Sequence, residues 1–159
     1  MIDWILNQAE FREFGEHCVR LFVAVLLGGL LGIERELHGR WAGLRTHMMV
    51  SLGSAVFTIA ALATAPNDVN EVTRVIQGIA AGIGFLGAGT ILKLSSQLEV
   101  KGLTTASSIW LAAALGTVAG LGEYALAAAS GLGALVVLTT LRPLAKAFGR
   151  ESGMEEPVE

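Results

Sequence analysis

Five apolar stretches of membrane-spanning length fill most of this chain, at Leu21–Ile33, Met48–Ala65, Val75–Leu92, Leu103–Leu121 and Tyr124–Leu141. As helices the last four, of about 18 residues each, reach about 27 Å, close to the hydrocarbon thickness of a bilayer. The Lys and Arg residues between them fall unevenly. Arg35, Arg40, Arg45, Lys93, Lys101, Arg142, Lys146 and Arg150 lie on one side of the expected membrane, against Arg12, Arg20 and Arg74 on the other. Eight against three, under the positive-inside rule, predicts the N-terminus outside and the C-terminus in the cytoplasm. The expected fold is therefore all-α, an integral membrane bundle of five transmembrane helices.

Only 16% of residues are charged, where a soluble domain carries about a quarter. The mean hydropathy is +0.61. Charge distribution here reads as topology and not as nucleic-acid binding. Cys18 is the single cysteine, so an intrachain disulfide and a cysteine-based metal site are both excluded. Asp3 and Glu10 stand where the basic segment of a cleavable signal would be.

Three regions follow. Residues 1–18 read as an interfacial amphipathic segment with Trp4 at the headgroup level. Residues 19–142 form the five-helix domain. Residues 143–159 are a cytoplasmic tail, amphipathic after Pro143 and, from Glu151 on, of a composition that predicts disorder. The first helix has a short uncharged core of 13 residues, Leu21–Ile33, so crossing the membrane draws Arg20 or Glu34, Arg35 and Glu36 toward its depth.

Small residues predict close helix packing. Ala24, Gly28, Gly32 and Glu36 fall four apart on helix 1, and helix 3 carries Gly78, Gly82, Gly84, Gly87 and Gly89. Helices 1 and 3 are accordingly expected at the centre. Gly82-x-Gly84-x-x-Gly87 matches the dinucleotide fingerprint in letters, but it lies inside an apolar span instead of between a strand and a helix, so it reads as glycine packing or a broken helix. Trp110 sits two turns deeper than an aromatic belt would place it and reads as a packing residue or a plug.

The polar residues concentrate on the cytoplasmic side. Glu34, Arg35 and Glu36 supply both signs of charge at the end of helix 1, with Arg45, Thr46 and Lys101 on neighbouring segments. The readings are an internal ion-pair network, a site for a cation or partner, and solvated charges that fix topology. Glu34 and Glu36 are the metal-ligand candidates; with His38 and His47 their spacing fits no metal signature. Thr46 is the expected N-cap of helix 2. Arg45 at that helix start calls for a carboxylate, Glu34 or Glu36. Thr104 and Thr105, with Ser107 and Ser108, open helix 4 as caps or as the lining of a polar cavity. Helices 2 to 5 carry no Asp, Glu, Lys, Arg or His within the apolar stretches, so only backbone carbonyls, Gln77 and the hydroxyl residues are left to line a path. No nucleophile–base set stands out, and an enzyme is not expected.

Four segments resemble the bacterial MgtC/SapB family, in order and over about Leu21–Leu141. They are Gly32-Ile33-Glu34-Arg35-Glu36, Ala42-Gly43-Leu44-Arg45-Thr46-His47, Gly82-Ile83-Gly84-Phe85-Leu86-Gly87-Ala88-Gly89 and Lys101-Gly102-Leu103-Thr104-Thr105-Ala106-Ser107-Ser108-Ile109-Trp110. The resemblance implies a multi-pass protein of the bacterial inner membrane, tied to growth at low magnesium and, in pathogens, to survival inside host cells. It leaves two functions open: a transporter of Mg²⁺ or a small solute, and a regulator that binds another membrane complex such as the ATP synthase. No cofactor is implied, though Mg²⁺ stays a candidate ligand. Expected partners are the bilayer, a second copy of the chain and another membrane protein. Many members carry a soluble C-terminal domain; this chain stops at Glu159, and regulation through such a domain is expected to be absent.

Overall fold

A computed structural model describes residues 2–66, 68–93 and 100–151, and side-chain surroundings for 10–66, 68–91 and 102–141. Five helices follow one another: α1 (Ile2–Leu37), α2 (Leu44–Thr64), α3 (Val69–Gly89), α4 (Leu103–Leu121) and α5 (Tyr124–Glu151). Each contains a stretch long and apolar enough to cross a membrane. A minimal antiparallel pairing, Leu92 with Lys101 and Lys93 with Val100, closes the neck of the segment between α3 and α4.

The distribution of side chains is that of a protein dissolved in lipid. Large apolar residues point outward, among them Phe22, Phe57, Leu132 and Phe85, which is 83% exposed. The interior combines a few large apolar residues, Leu31, Ile109 and Leu115, with the small Ala24, Ala55, Ala112 and Ala119 and with polar groups: Ser51, Thr58, Ser108, His47, Glu34 and Arg35. Lipid tails are as apolar as leucine, so hydrophobicity does not drive these helices together. Close backbone approach and internal hydrogen bonds do.

Both devices are visible at α2, which lies between α1 and α4. On one side, a Cβ at Gly28 would stand 2.6 Å from the His47 carbonyl oxygen, and one at Gly32 would stand 2.6 Å from the Leu44 Cα. On the other, a Cβ at Gly116 would land inside the Ser51 carbonyl, and one at Gly120 would stand 2.9 Å from the Ala55 carbonyl oxygen. Three hydrogen bonds join the same helices. Ser51 Oγ donates to the Ala24 carbonyl at 2.7 Å, and His47 Nε2 meets Ser108 Oγ at 3.0 Å. Arg20 Nη1 donates to the Gly120 carbonyl at 2.9 Å, placing a cation at the C-terminal end of α4 where the helix dipole favours it. Gly122 then ends α4 with a φ of 85°, left-handed backbone that any other residue would enter with strain.

Helix 1 is central as expected, but helix 3 is not. The centre is shared by α1, α2 and α4, and α3 packs at the edge with its branched residues Val75, Ile79 and Ile83 half-buried toward the bundle. Its glycines, apart from Gly87, border open gaps instead of packed contacts: Gly78 and Gly82 line a gap toward α2, and Gly84 one toward α4. A Cβ added at Gly78, Gly82, Gly84 or Gly89 meets nothing within 4 Å, and only Gly87 is buried, with Ala106 of α4 at 3.6 Å. The broken-helix reading of this segment also gives way, since α3 is continuous to Gly89.

Two further boundaries shift. The break expected at residue 18 is absent: α1 runs unbroken from Ile2. A single glycine, Gly15, costs a helix about 1 kcal/mol, too little to end one. At the other end, α5 continues through Pro143 to Glu151. The Trp4 side chain and residues 152–159 lie outside the described residues.

Candidate functional site

Where α1 ends and α2 begins, the chain turns through Gly39 and brings two polar systems together. The first is buried. Glu34 is 6% exposed and Arg35 3%, and Arg35 Nε donates to Glu34 Oε2. His38 Nδ1 lies 3.0 Å from Glu34 Oε1, but its hydrogen bond goes to the Glu34 carbonyl at 2.7 Å. Glu34 Oε1 and Arg35 Nη1 therefore have no hydrogen-bond partner among the described residues. A buried pair holds its geometry well only when its remaining polar atoms are satisfied, so this one is tense.

Next to it lies His47, fully buried on the first turn of α2 and near enough for the charges of Arg35 and Glu34 to act on it. Its Nδ1 sits 2.8 Å from the Gly43 carbonyl and its Nε2 3.0 Å from Ser108 Oγ. Ser108 Oγ in turn lies 2.8 Å from the Thr105 carbonyl. The contact ties α2 to α4 across 61 positions of sequence.

The second system is a cap supplied by a neighbouring helix. α2 starts at Leu44 with Gly43 as its N-cap and no side-chain hydrogen bond from that residue. The free N–H of Leu44 is taken instead by Glu36 Oε2 of α1 at 2.9 Å. A Cβ at residue 43 would collide with that carboxylate oxygen, so the glycine is what lets the cap reach in. Glu36→Ala is expected to cost about 1 kcal/mol, the usual value of a lost cap, while Glu36→Gln retains most of it. Thermal unfolding in detergent would show this; equal losses for both would remove the capping role.

Not every candidate joins these systems. Thr46 is not the N-cap: it is exposed within the first turn of α2, and the Glu36 carboxylate does what its hydroxyl was expected to do. Arg45 is exposed and makes no ion pair among the described residues; the pairing expected of it falls to Arg35. Thr104 is exposed, Thr105 is buried, and the Lys101 side chain lies outside the described residues. Gly28 and Gly32 are packing positions as expected. Gly78, Gly82, Gly84 and Gly89 are open, and Gln77 is exposed beside them. Trp110 is no buried packing residue: it is 53% exposed and borders a cavity of about 370 Å³ with Gly84, Gly87, Ala88 and Ser107. His47 and Ser108 were not tied together by the sequence, although both stood in it as polar residues on apolar helices.

No group of three His, Cys, Asp or Glu close enough to hold a metal ion occurs among the described residues. A cavity of about 620 Å³ lies between α2 and α3, lined by Met49, Gly53, Ser54 and Phe57 on one wall and by Gly78, Ile79 and Gly82 on the other. Another, of about 470 Å³, lies between α4 and α5 and is lined by Thr104, Ser107, Ser108 and Leu111 with Ala134 and Leu138.

The MgtC family model matches residues 21–147, from the middle of α1 into α5. The chain belongs to the MgtC family. An uncharacterized protein of Synechocystis sp. is 45% identical over 132 residues, covering 83% of this chain and 55% of that one. Protein SrpB of Synechococcus elongatus is 44% identical over 117 residues, 67% of this chain and 64% of its own. Protein MgtC of Salmonella typhimurium is 41% identical over 108 residues, 68% of this chain and 45% of its own. The chain thus spans about half the length of these relatives. No solved structure matches. The MgtC family match takes in every helix of the bundle and the whole polar site, and the protein is a multi-pass membrane protein.

Proposed function

We propose that the protein is a regulatory component of bacterial magnesium homeostasis, seated in the inner membrane, that acts by binding a transmembrane helix of another membrane protein. The observation that carries this reading is the cavity of about 620 Å³ between α2 and α3. Gly53, Gly78 and Gly82 border it, and a Cβ on any of them would meet open space. Glycines on an exposed helix face let a second backbone approach closely in lipid. The walls are apolar, and the one hydroxyl among them, Ser54, donates to the Val50 carbonyl. Such walls suit an apolar helix. They do not replace the oxygen shell that a divalent cation requires.

One observation favours the second reading, a transporter. Ionisable groups inside a membrane domain often mark a pathway, and Glu34, Arg35 and His47 are buried together. The Gly82→Leu variant separates the two. Under the docking reading it folds as the parent does, because a Cβ at residue 82 meets only the open cavity, yet it no longer supports growth at low magnesium. Flux of Mg²⁺ into liposomes containing only the purified protein, undiminished by Gly82→Leu, would overturn docking in favour of transport. Cross-links from a cysteine at residue 82 to the same position of another copy would make the occupant a second copy of the chain.

The polar turn between α1 and α2 would face the cytoplasm, from the eight-to-three balance of Lys and Arg. Reporter fusions after Glu123 and after Glu151 should then fall on opposite sides. The same side for both would contradict five crossings.

A further inference from the structure

We infer that His47 is a proton-binding site, one that takes up a proton reaching it through Ser108 from the cavity between α4 and α5. Three contacts run in series: Nδ1 of His47 to the Gly43 carbonyl at 2.8 Å, Nε2 to Ser108 Oγ at 3.0 Å, and Ser108 Oγ to the Thr105 carbonyl at 2.8 Å. Both ends of the series are backbone carbonyls, which only accept. Every link must therefore be filled from within, and three links need three hydrogens. A neutral imidazole and a serine hydroxyl bring two.

With imidazole neutral, the Gly43 carbonyl fixes the hydrogen on Nδ1, and Nε2 becomes an acceptor. The serine must then choose. Turned to Nε2, it leaves the Thr105 carbonyl; turned to Thr105, it leaves Nε2 facing an oxygen lone pair. Adding one proton to Nε2 completes the series: Nδ1–H to Gly43, Nε2–H to Ser108, and the serine hydroxyl to Thr105. Only the imidazolium therefore fills all three links at once.

The surroundings allow the charge to be gained and lost. On α1, Glu34 supplies a carboxylate and Arg35 an opposing cation, both acting on the ring, with His38 beyond them on Glu34. On α2 the other ionisable group is Arg45, which is exposed. α4 carries none along its length. Access comes through Ser108, which touches the ring and also lines the cavity of about 470 Å³, beside the hydroxyls of Thr104 and Ser107. Proton uptake thus fastens α4 to α2 at the end where Glu36 of α1 caps α2, and release loosens one of the two serine links.

The test is ¹⁵N spectroscopy of histidine-labelled full-length protein in liposomes, titrated from about pH 5 to about pH 9, with His47→Gln assigning the signal. Expected is a ring protonated on both nitrogens at the acid end that converts to the form protonated on Nδ1 alone. In Ser108→Ala the acceptor for Nε2–H is gone, and the ratio of imidazolium to imidazole at a pH within the transition should fall about tenfold, the ordinary effect of losing a hydrogen bond to a charged group. A His47 signal that stays neutral over the whole range overturns the proposal. So does an unchanged ratio in Ser108→Ala.

Discussion

Gly116→Leu is expected to abolish assembly of the bundle, with almost no monodisperse protein recovered in mild detergent. A Cβ at this position would already land inside the Ser51 carbonyl, which is backbone and cannot turn aside. The three further heavy atoms of a leucine side chain can be housed only by moving α4 off α2. That motion would also separate Gly120 from Ala55 and Ser108 from His47. Even Gly116→Ala should lose at least the roughly 1–3 kcal/mol typical of overpacking. Gly133→Leu on α5 is the control, since a Cβ there meets nothing within 4 Å. Equal recovery of Gly116→Leu and Gly133→Leu would show that α4 does not lie against α2 as described.

Arg35→Met should be the most damaging single change at the polar site, at about 3–5 kcal/mol, because it leaves the buried Glu34 carboxylate without its cation. The double variant Glu34→Met with Arg35→Met should regain most of the loss, since removing both charges costs far less than stranding one. Unfolding in detergent would measure all three proteins. A double variant no more stable than Arg35→Met would mean that the two side chains do not depend on each other.

The spans were legible because length and hydropathy are local properties, and Leu103–Leu121 and Tyr124–Leu141 reappear as α4 and as the membrane-length part of α5. The small-residue stripe of helix 1 was legible too, since Ala24, Gly28 and Gly32 do meet α2. Helix 3 misled because glycine content says that a backbone can be approached, not that a neighbour in the bundle approaches it. Gly78 and Gly82 share a wall with Val75, Ile79 and Ile83 toward α2, yet α2 does not close on them. The hydroxyls of Ser51, Thr58 and Ser108 carried the matching signal for α2 and α4, since lipid does not solvate them. At the site, the charges alone called for an ion pair of Glu34 or Glu36 with a nearby arginine, but not for Arg35 over Arg45. The Glu36 cap and the link from His47 to Ser108 were not legible, because each depends on how two helices meet.

The borrowed cap has a bearing on how the protein is made. α2 opens at Leu44 with neither a hydroxyl cap nor an acidic residue in its first turn, and the carboxylate that completes it belongs to the helix synthesised just before. The first two helices are therefore expected to enter the bilayer as a matched hairpin, the earlier one carrying the end-piece of the later. α3 emerges next and can wait at the periphery, while the position flanking α2 stays free for α4. The order of synthesis and the order of burial differ at one helix, and that helix is the one whose glycines are left uncovered.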